Sequence, residues 1–141
     1  MLKRIATASI VLTLVVSGAA FAAALTGTKV TLHSTATKGK VLATSTGRTL
    51  YLYTPDGHNK SNCTGTCAQT WPPLMTPAKP IAGMGVKQAL LATTRRANGK
   101  LQVTYNGHPL YKYVGDSGAG QTNGEGSGGI WFVVSAAGAK K

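Results

Sequence analysis

The chain has 141 residues, enough for one domain and too few for two full-sized ones. It carries 15 Lys or Arg against 3 Asp or Glu, a formal net charge of +12, and only 13% of its residues are charged, against roughly a quarter in an average soluble protein. A hydrophobic content of 43% argues against a collagen-like or disordered chain, and three carboxyls cannot furnish a glycosidase pair with its orienting groups or a carboxylate-rich metal site.

In chain order, the first element is an export signal. Met1-Leu2-Lys3-Arg4 is basic and residues 5–16 are apolar. Ala20-Phe21-Ala22 is an A-x-A pattern that suits cleavage after Ala22, with Ala24 as the neighbouring alternative. The apolar run is short for a membrane-spanning helix, which needs about 20 residues. Residues 1–22 are therefore expected to be a signal peptide, and the mature chain to be secreted or periplasmic. Loss of Lys3 and Arg4 leaves 13 basic and 3 acidic residues, a net charge of +10.

The remainder, 23–137, is self-similar. Leu50-Tyr51-Leu52-Tyr53-Thr54-Pro55-Asp56 and Leu110-Tyr111-Lys112-Tyr113-Val114-Gly115-Asp116 lie 60 residues apart. The same offset pairs Gly39 with Gly99, Thr44 with Thr104, Gly47 with Gly107 and Trp71 with Trp131, with no gap needed. Repeat one is placed at 28–75 and repeat two at 88–136, with 138–141 as a loose basic tail.

Each repeat reads as a β-meander of about three strands. Asn106-Gly107 between alternating β-formers is the strongest short hairpin signal, because a type I′ turn needs positive φ at both positions. Asn98-Gly99, Thr46-Gly47 and Lys38-Gly39 are read as further two-residue turns. Residues 130–134 read as a strand, whereas Trp71-Pro72-Pro73-Leu74 cannot be a central one. Two-residue turns put Val103 opposite Leu110 and Gln102 opposite Tyr111. In the first repeat they put Val41, Ala43, Leu50 and Leu52 on an aliphatic face, and Leu42 and Thr44 beside Tyr51 and Tyr53. The expected fold is all-β: the aliphatic faces pack together as a small pseudo-twofold sandwich or barrel, and the tyrosine faces are covered by the Trp loops or offered to a partner.

The candidate chemistry centres on two loops. Cys63-Thr64-Gly65-Thr66-Cys67 fits a disulfide across three small residues, which export favours. The sharper alternative is a redox dithiol or a copper site using Cys63, Cys67, His58 and the Met75 thioether, since soft ligands select copper(I). Zinc would want a second Cys pair or a His pair. His33 and His108 are isolated and read as strand-surface residues. Asp56 and Asp116 are the only aspartates; each reads as a turn cap bonding backbone N–H groups two residues on, with a catalytic acid or a calcium ligand as the alternative. Gly124-Glu125-Gly126-Ser127-Gly128-Gly129 matches G-x-G-x-x-G, but a strand rather than a helix follows, so it is not a nucleotide site. Asn59-Lys60-Ser61 and Asn62-Cys63-Thr64 are glycosylation sequons that matter only in a glycosylating host.

Tyr51-x-Tyr53-x-x-Asp56 and Tyr111-x-Tyr113-x-x-Asp116 resemble the Tyr-x-aromatic-x-x-Asp signature of the bacterial "secreted repeat of unknown function" family of predicted lipoproteins. Cys63-Thr64-Gly65-Thr66-Cys67-Ala68 followed by Trp71-Pro72-Pro73-Leu74 is similar to that family's first repeat, and Thr104-Tyr105-Asn106-Gly107 leading into Pro109-Leu110-Tyr111 to its second. The resemblance spans about residues 28–136. It implies a bacterial envelope setting and a duplicated β architecture without an assigned activity; the lipobox Cys is missing, which suggests a freely exported form. The expected function is a non-catalytic binding or structural module of the cell envelope. Its basic charge fits anionic envelope polymers or lipid head groups better than nucleic acid. The alternative is an envelope redox, electron-transfer or copper-handling protein built on Cys63 and Cys67.

Overall fold

The computed structural model describes residues 10–19 and 23–141, so the basic start and the Ala20-Phe21-Ala22 pattern lie outside the described residues. Residues 10–19 and 23–28 form neither strand nor helix, and among the described residues no helix is long and apolar enough to cross a membrane. The regular structure of the rest is almost entirely β-strand, joined by long turns and loops: β1 (Lys29–Thr35), β2 (Gly39–Thr44), β3 (Tyr51–Tyr53), β4 (Met75–Thr76), β5 (Ile81–Ala82), β6 (Leu91–Arg95), β7 (Leu101–Tyr105), β8 (His108–Pro109) and β9 (Trp131–Val133). One short helix, α1 (Thr66–Thr70), follows the first cysteine.

The two halves repeat one another in their pairing. β1 and β2 form an antiparallel hairpin extended by β5, and β6 and β7 form another, extended on one side by β4 and continued through β8. β3 pairs with β9, placing Tyr51 opposite Val133 and Tyr53 opposite Trp131. The counterpart in the other half is a bridge between Tyr111 and Pro73. Trp71-Pro72-Pro73-Leu74 thus runs beside the second tyrosine motif as β9 runs beside the first. Leu74 N–H donates to Leu110 O (2.9 Å), and Lys112 N–H to Pro72 O (2.8 Å). Proline is tolerated at position 73 because its equivalent in β9, Val133, turns its N–H away from the ladder onto the Glu125 carboxylate (2.7 Å). At the midpoint Tyr51 and Tyr111 exchange backbone bonds, each N–H donating to the other's carbonyl at 2.8 and 3.0 Å. A pseudo-twofold axis passes between them.

The Asn106-Gly107 turn is a two-residue loop with φ of 49° and 80°, the left-handed pair that only Asn and Gly adopt easily. Lys38-Gly39 differs from expectation, since residues 36–38 separate the paired Thr35 and Gly39, and so do Thr46-Gly47 and Asn98-Gly99. The last two close three-residue loops in which Thr44 N–H meets Arg48 O and Arg96 N–H meets Lys100 O, with Gly47 and Gly99 at φ 85° and 79°. The extra residue shifts the first repeat by one position, because strand side chains alternate with period two. Leu42 therefore lies opposite Leu50 in the aliphatic core, while Val41 joins the tyrosine side, the reverse of the expected faces. The 60-residue relation holds from Leu50 onward. Ahead of that turn the hairpins match at 61, Val30 opposite Thr44 in one and Leu91 opposite Tyr105 in the other.

Two buried clusters result. Val30, Leu42, Leu50 and Val134 meet Leu91, Val103, Leu110 and Leu74 in the aliphatic one, with Leu52, Val86 and Tyr105. The other contains Tyr51, Tyr111, Trp71 and Trp131, with Val41, Val133 and Cys63. The tyrosine faces are thus covered by the Trp segments. Residues 138–141, expected as a loose tail, are instead tied back. Ser135 N–H donates to Ala139 O (2.9 Å), Lys141 N–H to Val133 O (3.0 Å), and Lys141 Nζ to Lys40 O (3.2 Å).

Candidate functional site

The motif residues of both repeats converge on the pseudo-twofold axis. Tyr53, Trp131, Trp71 and Tyr113 form one column of stacked rings, with successive centroids 4.3, 3.9 and 4.4 Å apart and the two indoles 4° from parallel. Tyr51 meets Trp71 edge-on at 5.4 Å and Tyr111 meets Trp131 edge-on at 5.1 Å. Both faces of each indole are taken up by the stack, so these contacts are made at the indole rim, and rim-to-face approach is a favoured geometry for such pairs. The inner rings are buried; the end rings Tyr53 and Tyr113 are half-buried.

The hydroxyls cross between repeats. Tyr51 Oη donates to Asp116 Oδ2 (2.6 Å), and Tyr111 Oη donates to Asp56 Oδ2 (2.7 Å). Each aspartate uses its second oxygen to close its own loop: Asp56 Oδ1 accepts from Asn62 N–H (2.6 Å) and Asp116 Oδ1 from Asn123 N–H (2.9 Å). The aspartates do cap turns, but the N–H they bond lies six or seven residues on, not two. Asn62 and Asn123 return the bond, their side-chain amides donating to Pro55 O (2.9 Å) and Gly115 O (3.1 Å). This Asp–Asn pairing was missed in the sequence because Asn62 sits inside a sequon; its signal is an Asn at nearly equal distance beyond each Asp.

Burial pushes the Tyr51 hydroxyl well above its ordinary value, and the bond to Asp116 pushes it the same way. Burial also raises Tyr111, against the opposing effect of its bond with Ser61. Burial raises Asp56 as well, opposed by the Asn62 N–H and the Tyr111 hydroxyl that bond to it. His108, half-buried in β8, is lowered by burial. Each tyrosine is thus a hydrogen-bond donor held to an aspartate acceptor of the other repeat, an arrangement that fixes geometry.

Around this clamp the two loops differ. Gly124 lies against Trp71, where an added Cβ would come 2.6 Å from the indole Cη2, and its N–H donates to Tyr51 Oη (3.3 Å). In the first loop Ser61 takes that role, its hydroxyl 2.7 Å from Tyr111 Oη. Cys63 is bonded to Cys67, with Cα atoms 5.3 Å apart. Arg96 braces this loop: Nη1 donates to Ser61 Oγ and Gln102 Oε1, and Nη2 to Cys63 O, all at 2.8 Å. Beside the other loop Arg48, at a position with no relation to Arg96 in the repeat, donates to Asp116 O. Glu125 accepts from Val133 N–H and pairs with Lys38 (3.3 Å).

The copper candidates are not gathered into one place. Cys63 and Cys67 are joined to each other, His58 packs over Gly107, and Met75 lines a separate cleft with Arg95 and Leu101. Among the described residues no three His, Cys, Asp or Glu side chains lie together as a metal-holding group. Besides the Met75 cleft, which Arg95 and Lys100 also line, two open clefts are basic. One of about 470 Å³ is bounded by Lys60, Arg95 and Arg96, and a smaller one of about 240 Å³ by Arg48, Lys112 and Tyr113.

No curated protein and no solved structure shows a significant match to the chain. Residues 33–75 and 92–135, together more than half of the chain, match the family described as a secreted repeat of unknown function. Those two segments hold both tyrosine motifs, both aspartates and both tryptophans of the clamp, and on that match the chain belongs to the family of the secreted repeat of unknown function.

Proposed function

We propose that the protein is an exported, non-catalytic envelope module that associates through its basic surface with anionic envelope polymers or lipid head groups. The observation that carries this reading is the use of all three carboxylates inside the fold. Asp56 and Asp116 hold the crossed tyrosines, and Glu125 holds β9 and Lys38. The cations outside face solvent with no acid to offset them, which favours polyanions at long range and weakens with salt. Protein purified after export should co-sediment with phosphatidylglycerol vesicles or bind soluble poly(glycerol phosphate) at low salt, and release as salt rises. Equal retention on neutral phosphatidylcholine, or binding indifferent to salt, would contradict it.

A second reading, a redox or copper-handling role on Cys63 and Cys67, is favoured by one asymmetry: Cys63 is buried while Cys67 is partly exposed, which leaves one sulfur open to attack. Copper binding would further require the bridge to open and His58 or Met75 to join it. Thiol titration and metal analysis of protein taken from its own envelope test this reading; an unreactive, metal-free disulfide contradicts it.

A further inference from the structure

The cleft between the 60–64 loop and the tip of the β6–β7 hairpin borders the clamp only through Ser61. We infer that it is the site at which the protein takes a phosphodiester, either of a soluble envelope polymer or of a lipid head group. The inference rests on the anionic-partner reading above and names its site. Lys60, Arg95 and Arg96 line the cleft together with the hydroxyl residues Ser61, Thr64 and Thr94, and no carboxylate borders it. Among the described residues the only ion pair is Lys38 with Glu125, so neither Lys60 nor Arg95 is neutralised by an acid. The Ser61 and Thr94 protons are committed to Tyr111 Oη and Asn59 O, which leaves the Lys60 ammonium, the Arg95 guanidinium and the Thr64 hydroxyl as the donors that phosphodiester oxygens require. At about 470 Å³ the space suits a glycerol- or sugar-phosphate unit better than a bare phosphate ion.

The cleft wall is pre-formed. Arg96 spends Nη1 and Nη2 on Ser61, Gln102 and Cys63, the disulfide closes the same loop, and Thr94 Oγ1 donates to Asn59 O (2.5 Å) across the gap. Such a wall loses little entropy on binding. Comparison of the repeats separates fold from function here. At the 61-residue register of the hairpins, Arg95 and Arg96 stand where the first repeat has Ser34 and Thr35. The first hairpin forms without cations at those places, so hairpin geometry does not demand them. Arg96 has its bracing role, whereas the Lys60 side chain and most of the Arg95 guanidinium have none: Arg95 makes one bond, to Gly99 O (2.6 Å).

The test compares two pairs of charge removals in exported protein: Lys60→Gln with Arg95→Gln, and the exposed control pair Lys29→Gln with Lys79→Gln. Both variants keep every backbone bond, and equal melting temperatures verify that they fold. The probes are poly(glycerol phosphate) in solution and phosphatidylglycerol vesicles. The cleft pair should lose about tenfold or more in affinity, and the control pair no more than about threefold, since a direct charge-assisted bond outweighs a distant charge. Loss toward the soluble polymer supports a polymer source, and loss toward vesicles alone supports a head-group source. Equal loss in the two pairs would overturn the site while leaving the anionic-partner reading intact. No binding by the unaltered protein to either probe would overturn both.

Discussion

Tyr51 and Asp116 lie in different repeats, yet each satisfies the other's buried polar group. Replacing Tyr51 with Phe keeps the ring and strands the carboxylate, so urea unfolding should show a loss of about 1–3 kcal/mol. In a cycle with Asp116→Asn the two losses should not add, because the sites share one bond. Alkaline pH tests the same contact. Tyr51 and Tyr111 have folded values raised above the ordinary 10.0. Their stabilisation is complete below the unfolded value and is lost as pH rises past it, because only the unfolded chain then releases the protons. Unfolding free energy should therefore decline above about pH 10, and the decline should be shallower with both tyrosines changed to Phe. Gly124 is fixed by proximity to Trp71: Gly124→Ala should cost about 1–3 kcal/mol by overpacking, readable in the same unfolding curves.

At the scale of elements, register separates what the sequence reveals from what it conceals. Asn106-Gly107 is legible because both positions need positive φ and few residues supply it, and Val103 falls beside Leu110 as expected. Thr46-Gly47 offers only one such residue, which a three-residue loop uses as readily as a two-residue one, and the faces of β2 turn on that difference. Deleting Thr46 would force a two-residue turn and set Val41 toward the aliphatic core. The expected result is loss of a cooperative thermal transition, followed by circular dichroism. The Pro72-Pro73 segment was hidden for another reason: the absence of an N–H argues against a ladder, unless the equivalent N–H points elsewhere, as Val133 shows. Glu125→Gln keeps an acceptor for that N–H but gives up the charge and the Lys38 pair, so it should cost less than about 1.5 kcal/mol, whereas Glu125→Ala should cost more.

For the whole molecule, duplication is a mutual dependence and not a tandem of independent units. The column Tyr53–Trp131–Trp71–Tyr113 alternates between repeats, and each aspartate closes its own loop while holding the other repeat's tyrosine. Matched residues show in a sequence as similarity; their exchange across an axis does not, since offsets say which positions correspond and not which ones touch. The aspartate and tyrosine motifs are accounted for inside the fold, so the proposed association with a polyanion rests on the unoffset cations. Separate expression of residues 23–79 and 80–141 tests this account most directly, with amide proton spectra recorded for each fragment and for their mixture. The account predicts collapsed dispersion for each fragment alone and native-like dispersion on mixing. A fragment that is well dispersed and unfolds cooperatively by itself would contradict it.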